Sequence, residues 1–318
     1  MISQKRYTTA PATTRRGTRL DFKPVTAEAM PDIMRYLRRQ SSRSCDYSIG
    51  GIYMWIEYFG YEYCIVGDTL FIKGLSEDAS RRPAFWVPIG AMPVEDSVAM
   101  IRNYCKLRGM EPLFSAVPED KLELIASLPG ARVEELPDWA DYIYSATALA
   151  TLTGKHYNKK RNHVNRFMAD NPDWRLDEIT EDNVAEVCEF FDGLDNGNDK
   201  ADPVMAEYES EQCADALRHF GDYPFEGAVL RDNDGRIVAF TAAEVLGDTL
   251  FVHIEKMRHD VAGAGETINK LFAASMLRKH PEIAYINRED DGGDPGLRYA
   301  KESYRPVGKV HKYNVTFG

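Results

Sequence analysis

The segment Phe251-Val252-His253-Ile254-Glu255-Lys256-Met257 sets a histidine and a carboxylate two places apart in a run of strand-forming residues. Strict alternation sends His253, Glu255 and Met257 to one face and Val252, Ile254 and Lys256 to the other. Ionisable groups on a central strand are costly unless paired or used. His253 and Glu255 are therefore candidates for general acid/base work or for holding an amine, with Lys256 beside them, and a structural His–Glu hydrogen bond is the competing account. The chain then runs through Arg258-His259-Asp260-Val261-Ala262-Gly263-Ala264-Gly265-Glu266-Thr267 into a predicted helix. Gly263, Ala264, Gly265 and Thr267 would bring backbone N–H groups toward an anion at the helix start, with Arg258 as counter-charge, although Glu266 in that turn opposes a phosphate. Further on, Asn287-Arg288-Glu289-Asp290-Asp291 ends a predicted strand, the place where α/β sheets collect ligands, and its acids suit a cation or amino group. Tyr304 offers a phenol as a proton donor.

A second kind of chemistry lies in Lys155-His156-Tyr157-Asn158-Lys159-Lys160-Arg161-Asn162-His163-Val164-Asn165-Arg166, a basic run without an acid in a chain of net charge -11. At helical spacing Lys155, Lys159, Asn162 and Arg166 share one face, and Tyr157, Arg161 and Val164 another. Such a face can hold phosphates, or simply be solvated. The acidic whole argues against general affinity for nucleic acid or anionic membrane, so any polyanion site is local. The five cysteines, Cys45, Cys64, Cys105, Cys188 and Cys213, form no C-x-x-C pair. They read as free, mostly buried thiols of a cytoplasmic protein, and no metal is expected.

The elements that would position these groups follow from periodicity. Helices are predicted near 27–40, 49–58, 94–107 and 119–127, with a hairpin over 61–73 and strands at 84–87 and 113–117. The second half reads as a helix near 156–169, a strand at 174–178, helices near 182–191 and 203–219, and a meander of 225–230, 237–245 and 249–257. A helix at 265–279, a strand at 284–287, a short helix near 296–304 and a last strand at 309–316 follow. Gly67-Asp68-Thr69-Leu70-Phe71 recurs as Gly247-Asp248-Thr249-Leu250-Phe251, and both halves share one element order, which suggests a duplicated α+β fold. The expected division is a flexible basic tail over 1–20, a first domain over 21–146 and a second over 147–318 that carries the site. No run approaches the roughly 18 apolar residues of a membrane-spanning helix, so no integral membrane association is expected.

The words Ser44-Cys45-Asp46-Tyr47-Ser48, Gly154-Lys155 to Phe167, Ile237-Val238-Ala239-Phe240-Thr241, Val252–Lys256, Gly263–Phe272 and Ile286–Glu289 together resemble one family. Its domain is shared with the C-terminal region of phosphatidylglycerol lysyltransferases. The resemblance runs from about Asp21 to the end. It implies tandem acetyltransferase-like (GNAT) domains, each a mixed, mostly antiparallel sheet flanked by helices. It also implies transfer of an aminoacyl group from charged tRNA to a hydroxyl or amine, the acceptor being a small molecule, a peptide or a lipid. Lys155, Lys159, Lys160, Arg161, Asn162 and Arg166 would then face tRNA, and Lys256, Asn287, Arg288 and Glu289 the substrate. Acyl-CoA is the alternative donor, but four residues separate Arg258 from Gly263, where the GNAT pyrophosphate motif has two. A ligand-binding module with a degenerate transferase pocket is the non-enzymatic alternative.

Overall fold

The computed structural model describes residues 19–194 and 203–318; the expected basic tail lies outside them up to residue 18, and Leu20 is already in the core. The strands are β1 (Lys23–Pro24), β2 (Glu62–Val66), β3 (Thr69–Leu75), β4 (Pro83–Phe85), β5 (Ile89–Gly90), β6 (Leu113–Pro118), β7 (Ala131–Glu135) and β8 (Asp141–Ser145). They continue as β9 (Arg175–Glu178), β10 (Glu226–Arg231), β11 (Ile237–Leu246), β12 (Thr249–Met257), β13 (Tyr285–Asn287), β14 (Gly308–Val310) and β15 (Lys312–Phe317). The helices are α1 (Met30–Leu37), α2 (Ile49–Phe59), α3 (Val94–Lys106), α4 (Glu119–Ala126) and α5 (Ala146–Thr151). After them come α6 (Asn158–Asp170), α7 (Val184–Asp192), α8 (Pro203–Arg218), α9 (Ala264–Lys279) and α10 (Pro295–Glu302).

Two mixed sheets result, ordered β1-β2-β3-β4-β6-β15-β7, with β5 also on β3, and β14-β8-β13-β12-β11-β10-β9. The α+β class is as expected. The sheets do not part at residue 146, however. β8 precedes that boundary yet sits inside the second sheet, and β15 leaves the second half to pair with β6 and β7 of the first. The short apolar stretch after Ser145 becomes α5, capped by the Ser145 side chain accepting from Ala148 N–H.

Alternation along each strand sorts the core into layers. Leu70 and Ile72 of β3 pack with Tyr36 of α1 and Ile52 of α2, and the same cluster takes in Val187 of α7, Leu217 of α8, Phe240 of β11 and Ile254 of β12. This middle layer is therefore shared by both sheets. On the far side of the first sheet, Phe71 and Phe85 meet Ile101 of α3 and Ile125 of α4; on the far side of the second, Leu250 meets Leu149 of α5 and Ile268 of α9. The repeated Gly-Asp word forms the β2–β3 and β11–β12 turns, with Gly67 and Gly247 at φ 58° and 61°. Cys45, Cys64, Cys105 and Cys188 are free thiols, and no helix among the described residues is long and apolar enough to cross a membrane.

Candidate functional site

β12 and β13 are parallel neighbours only over Thr249–Phe251 against Tyr285–Asn287. Beyond that point β12 runs on to Met257 while the segment after β13 turns away, with Glu289 at φ 57°. A cleft of about 460 Å³ opens beside this parting. His253, Glu255 and Lys256 line it from β12, Arg288, Glu289 and Asp290 from the loop after β13, and Met54, Trp55 and Phe59 from α2. Both ends of the parted strands thus turn side chains into one space.

The expected alternation of β12 fails at His253. Ala242 pairs with Ile254 and Ala243 with Val252, so His253 is an extra residue without a partner on β11. The bulge re-aims the strand: Glu255 reaches Asn269 on the α9 side, whereas Lys256 bonds Glu209 of α8 at 2.7 Å. His253 turns toward α2, where a Cβ on Gly50 would stand 2.4 Å from its ring. Gly50 thereby lets the start of α2 close over the bulge.

Two ion pairs bridge the parting. Arg288 donates to Glu255 at 2.7 Å, and His253 Nδ1 donates to Glu289 at 2.8 Å. His253 Nε2 bonds Glu244 at 3.0 Å, and Glu244 also accepts the Gly50 N–H at 2.6 Å. Burial alone would lower the His253 pKa, but hydrogen bonds to Glu244 and Glu289 outweigh it and hold the imidazole up to about 9. A doubly protonated, doubly bonded imidazolium cannot accept a proton at neutral pH, so His253 is a clamp and not the expected base. A raised basic group stabilises the fold below its unfolded pKa and loses that stabilisation as pH rises through the folded one. Relative to His253→Gln, the protein is expected to keep an advantage of about 3 kcal/mol below pH 6.5 that fades through pH 9. Urea midpoints of both proteins across this range check it; a pH-independent gap would contradict the imidazolium.

The floor of the cleft joins the sheets. Lys312 of β15, buried, lies 2.7 Å from Asp46, 2.9 Å from Asp141 and 3.5 Å from Cys45 Sγ. Cys45, Asp141 and Asp290 place potential ligand atoms within 4.8 Å of one another, but the Lys312 ammonium stands among them, so the resident cation there is the protein's own. Asp141 also accepts the Cys45 N–H at 2.6 Å and Asn287 Nδ2 at 2.8 Å. Lys301 of α10 holds the loop by donating to the carbonyls of Arg288 and Asp290. Burial pushes the Asp290 carboxyl up to about 6 against the pull of Lys312 and Lys301.

The other expected site residues divide. Glu255, Lys256, Arg288 and Glu289 line the cleft. Asn287 does not: it is buried, its amide donating to Arg43 O and Asp141 and its oxygen accepting the Glu289 N–H, so it is a brace rather than a substrate contact. Tyr304 is buried behind Arg288, whose guanidinium lies 5.1 Å from its ring, and burial drives its phenol upward, away from proton donation. Lys160 sits 3.8 Å from the centre of the same ring and 3.5 Å from Glu266, linking α6 to the cleft. Arg161 ties down the carbonyls of Leu152 and Gly154 and is not available to a ligand. Lys155, Lys159, Asn162 and Arg166 share an exposed face as the spacing predicts, Arg166 facing Asp170 at 3.5 Å.

At the α9 start, Gly263 adopts φ 82°, and a Cβ there would meet His163 O at 2.4 Å, so the absence of a side chain serves helix packing. Gly265 likewise makes room for Met257, Ala264 N–H bonds Val261 O, and Thr267 is buried. Arg258 is committed to Asp260 at 2.6 Å, and Glu266 occupies the first turn. This loop presents no cradle for a pyrophosphate. Asp46, Glu77, Asp141 and Lys312 were not legible as site residues. Asp46 stands in the Ser44–Ser48 word, but Glu77 and Lys312 belong to no local motif; only tertiary pairing brings Glu77 to the cleft and Lys312 to the carboxylates beneath it.

A conserved protein of unknown function from Bacteroides thetaiotaomicron is 30% identical, with TM-score 0.83 over 94% of this chain and 100% of that one. L-PGS from Bacillus licheniformis shares the fold at 15% identity and TM-score 0.58, covering 90% of this chain and 91% of that one. FemX shares it at 8% identity and TM-score 0.55, covering 92% and 97%. An uncharacterised protein of Mycoplasmoides gallisepticum is 26% identical over 180 residues, and the match spans about half of each chain, 55% of both. The family model described as phosphatidylglycerol lysyltransferase, C-terminal, matches residues 26–316, and the chain belongs to that family.

Proposed function

We propose that the protein is an aminoacyltransferase that takes its aminoacyl group from charged tRNA and delivers it to a hydroxyl or amine acceptor. The observation that carries this reading is the cleft at the parting of β12 and β13, in which carboxylates outnumber cations and an aromatic wall lies opposite. Such a lining suits the ammonium groups and methylenes of an aminoacyl moiety. Lys160 and Arg288 both pack on the Tyr304 ring and so join this cleft to α6, whose exposed cations would hold the phosphates of the acceptor end.

In the reaction the acceptor oxygen or nitrogen attacks the ester carbonyl, its proton passes to a base in the cleft, and the tRNA ribose oxygen leaves with a proton. Asp290 is the base whose affinity is best matched to neutral pH. The edge of β12 beyond Phe251, which no β13 residue pairs, offers N–H groups to the developing oxyanion. The occupied Arg258 and Glu266 give no support to acyl-CoA as donor.

The test is tRNA binding against salt. Reversing Lys155, Lys159 and Arg166 to glutamate is expected to flatten the log–log slope by about 2–3 and weaken binding on the order of 100-fold. Unchanged binding would remove tRNA from the proposal.

A further inference from the structure

The path of each sheet ends on strands whose outer backbone no described strand pairs: β1 and β7 in the first, β14 and β9 in the second. An open edge is a template for another chain, and proteins ordinarily blunt it. β1 is two residues long and ends in Pro24, which has no N–H. On β14, Lys309 is held by the Tyr142 hydroxyl at 3.0 Å; on β9, Asp177 takes Arg231 at 2.8 Å and Glu178 takes Lys279 at 3.8 Å. β7 is different. Every residue of β7 after Ala131 is exposed, Val133 to 46%, and Arg132 and Glu134 have no ion-pair partner among the described residues.

The backbone shows which groups of β7 are open. Gly318 N–H donates to Gly130 O and Leu136 N–H to Lys312 O, so the even-numbered residues turn their main-chain groups toward β15. Alternation leaves Val133 and Glu135 with N–H and C=O facing outward, and Ala131 with its C=O, since its N–H goes to Leu128 O. The side chains select the occupant. An antiparallel copy of the same strand, centred on Val133, would exchange main-chain bonds between the two valines across a twofold axis. Arg132 of each copy would then stand directly opposite Glu134 of the other, both pairs on one face. On the opposite face, which Ala131 shares with Val315 and Phe317, the valines would meet beside α4, which packs there and exposes Leu124. We propose that β7 is the contact through which two copies of this chain join their first sheets into one, the Arg132–Glu134 register favouring a second copy over other strands. β7 contributes no residue to the cleft, so the contact and the reaction proposed there stand or fall separately. An edge of five residues is small, so the dimer should be reversible.

Sedimentation equilibrium of the whole chain over about 1–200 µM reads the association. The wild type is expected to be mostly monomer at the bottom of that range and mostly dimer at the top, with a Kd on the order of 10–50 µM. Arg132→Glu and Glu134→Arg should each weaken self-association about 10-fold or more, because like charges then face each other in both cross-strand pairs. Mixed in equal amounts, the two single variants should associate with each other about as tightly as the wild type with itself, since each supplies the charge the other lacks. The double variant Arg132→Glu, Glu134→Arg should regain the dimer. A fold disturbed by either change would not be repaired by mixing, which separates the register from a structural effect. A chain still monomeric at about 200 µM overturns the inference and leaves the edge to a strand of another protein. A dimer that the single variants leave intact, or that neither the mixture nor the double variant restores, overturns it as well.

Discussion

Lys312→Met is expected to destabilise the protein by about 3–5 kcal/mol, the cost of leaving buried carboxylates without their cation. Lys312 is the counter-charge of both Asp46 and Asp141, and the former contacts lie within 2.9 Å. Methionine keeps the length of the side chain and most of its packing, so the loss reports charge and not a cavity. The effect should shrink as pH falls, because protonating a buried carboxylate removes its need for a counter-charge. Urea unfolding of both proteins at pH 5 and pH 7.5 measures it. Equal midpoints at pH 7.5 would mean that the cluster is not held by charge.

Asp290→Asn should reduce transfer by about 10²–10⁴-fold if Asp290 is the base. Its carboxyl stands at about 6 in the fold, so the wild-type rate should rise with pH through 6 and level off above it, since the base works only when ionised. The asparagine variant should lose that limb altogether. Asp290 Oδ1 accepts the Gly292 N–H at 2.8 Å, a bond an asparagine oxygen can keep, so the loop should stay in place. The measurement is enzyme-dependent loss of the aminoacyl ester from charged tRNA, with water or an added hydroxyl compound as acceptor. A limb near pH 6 that survives in the variant would assign it to another group.

Local physics made most of the fold readable. Hairpins announced by Gly67-Asp68 and Gly247-Asp248 and the long apolar runs of β11 and β12 emerged close to their expected bounds. The exposed cationic face of α6 also followed from spacing, because helical geometry fixes which side chains are neighbours. The failures have a common source in pairing between distant segments. One extra residue at His253 reversed the face of Glu255, and nothing within the strand's own sequence marks a bulge. His253 looked like a base because its two carboxylate partners, Glu244 and Glu289, come from other parts of the chain. β8 was hidden by its adjacency to α5, and β15 was readable as a strand but not as a member of the other sheet.

That last strand bears on how the molecule is made. β6 and β7 are adjacent in sequence order yet touch only through β15, so their sheet keeps an open slot while the entire second half is being synthesised. Contacts of such sequence separation form late and slow folding. The same strand brings Lys312, and until it docks the acidic floor repels itself. A nascent chain stalled before Gly308 should therefore hold the second sheet's inner strands but an unfinished first sheet, and the acids beneath its cleft would gain their counter-charge only at the final closure.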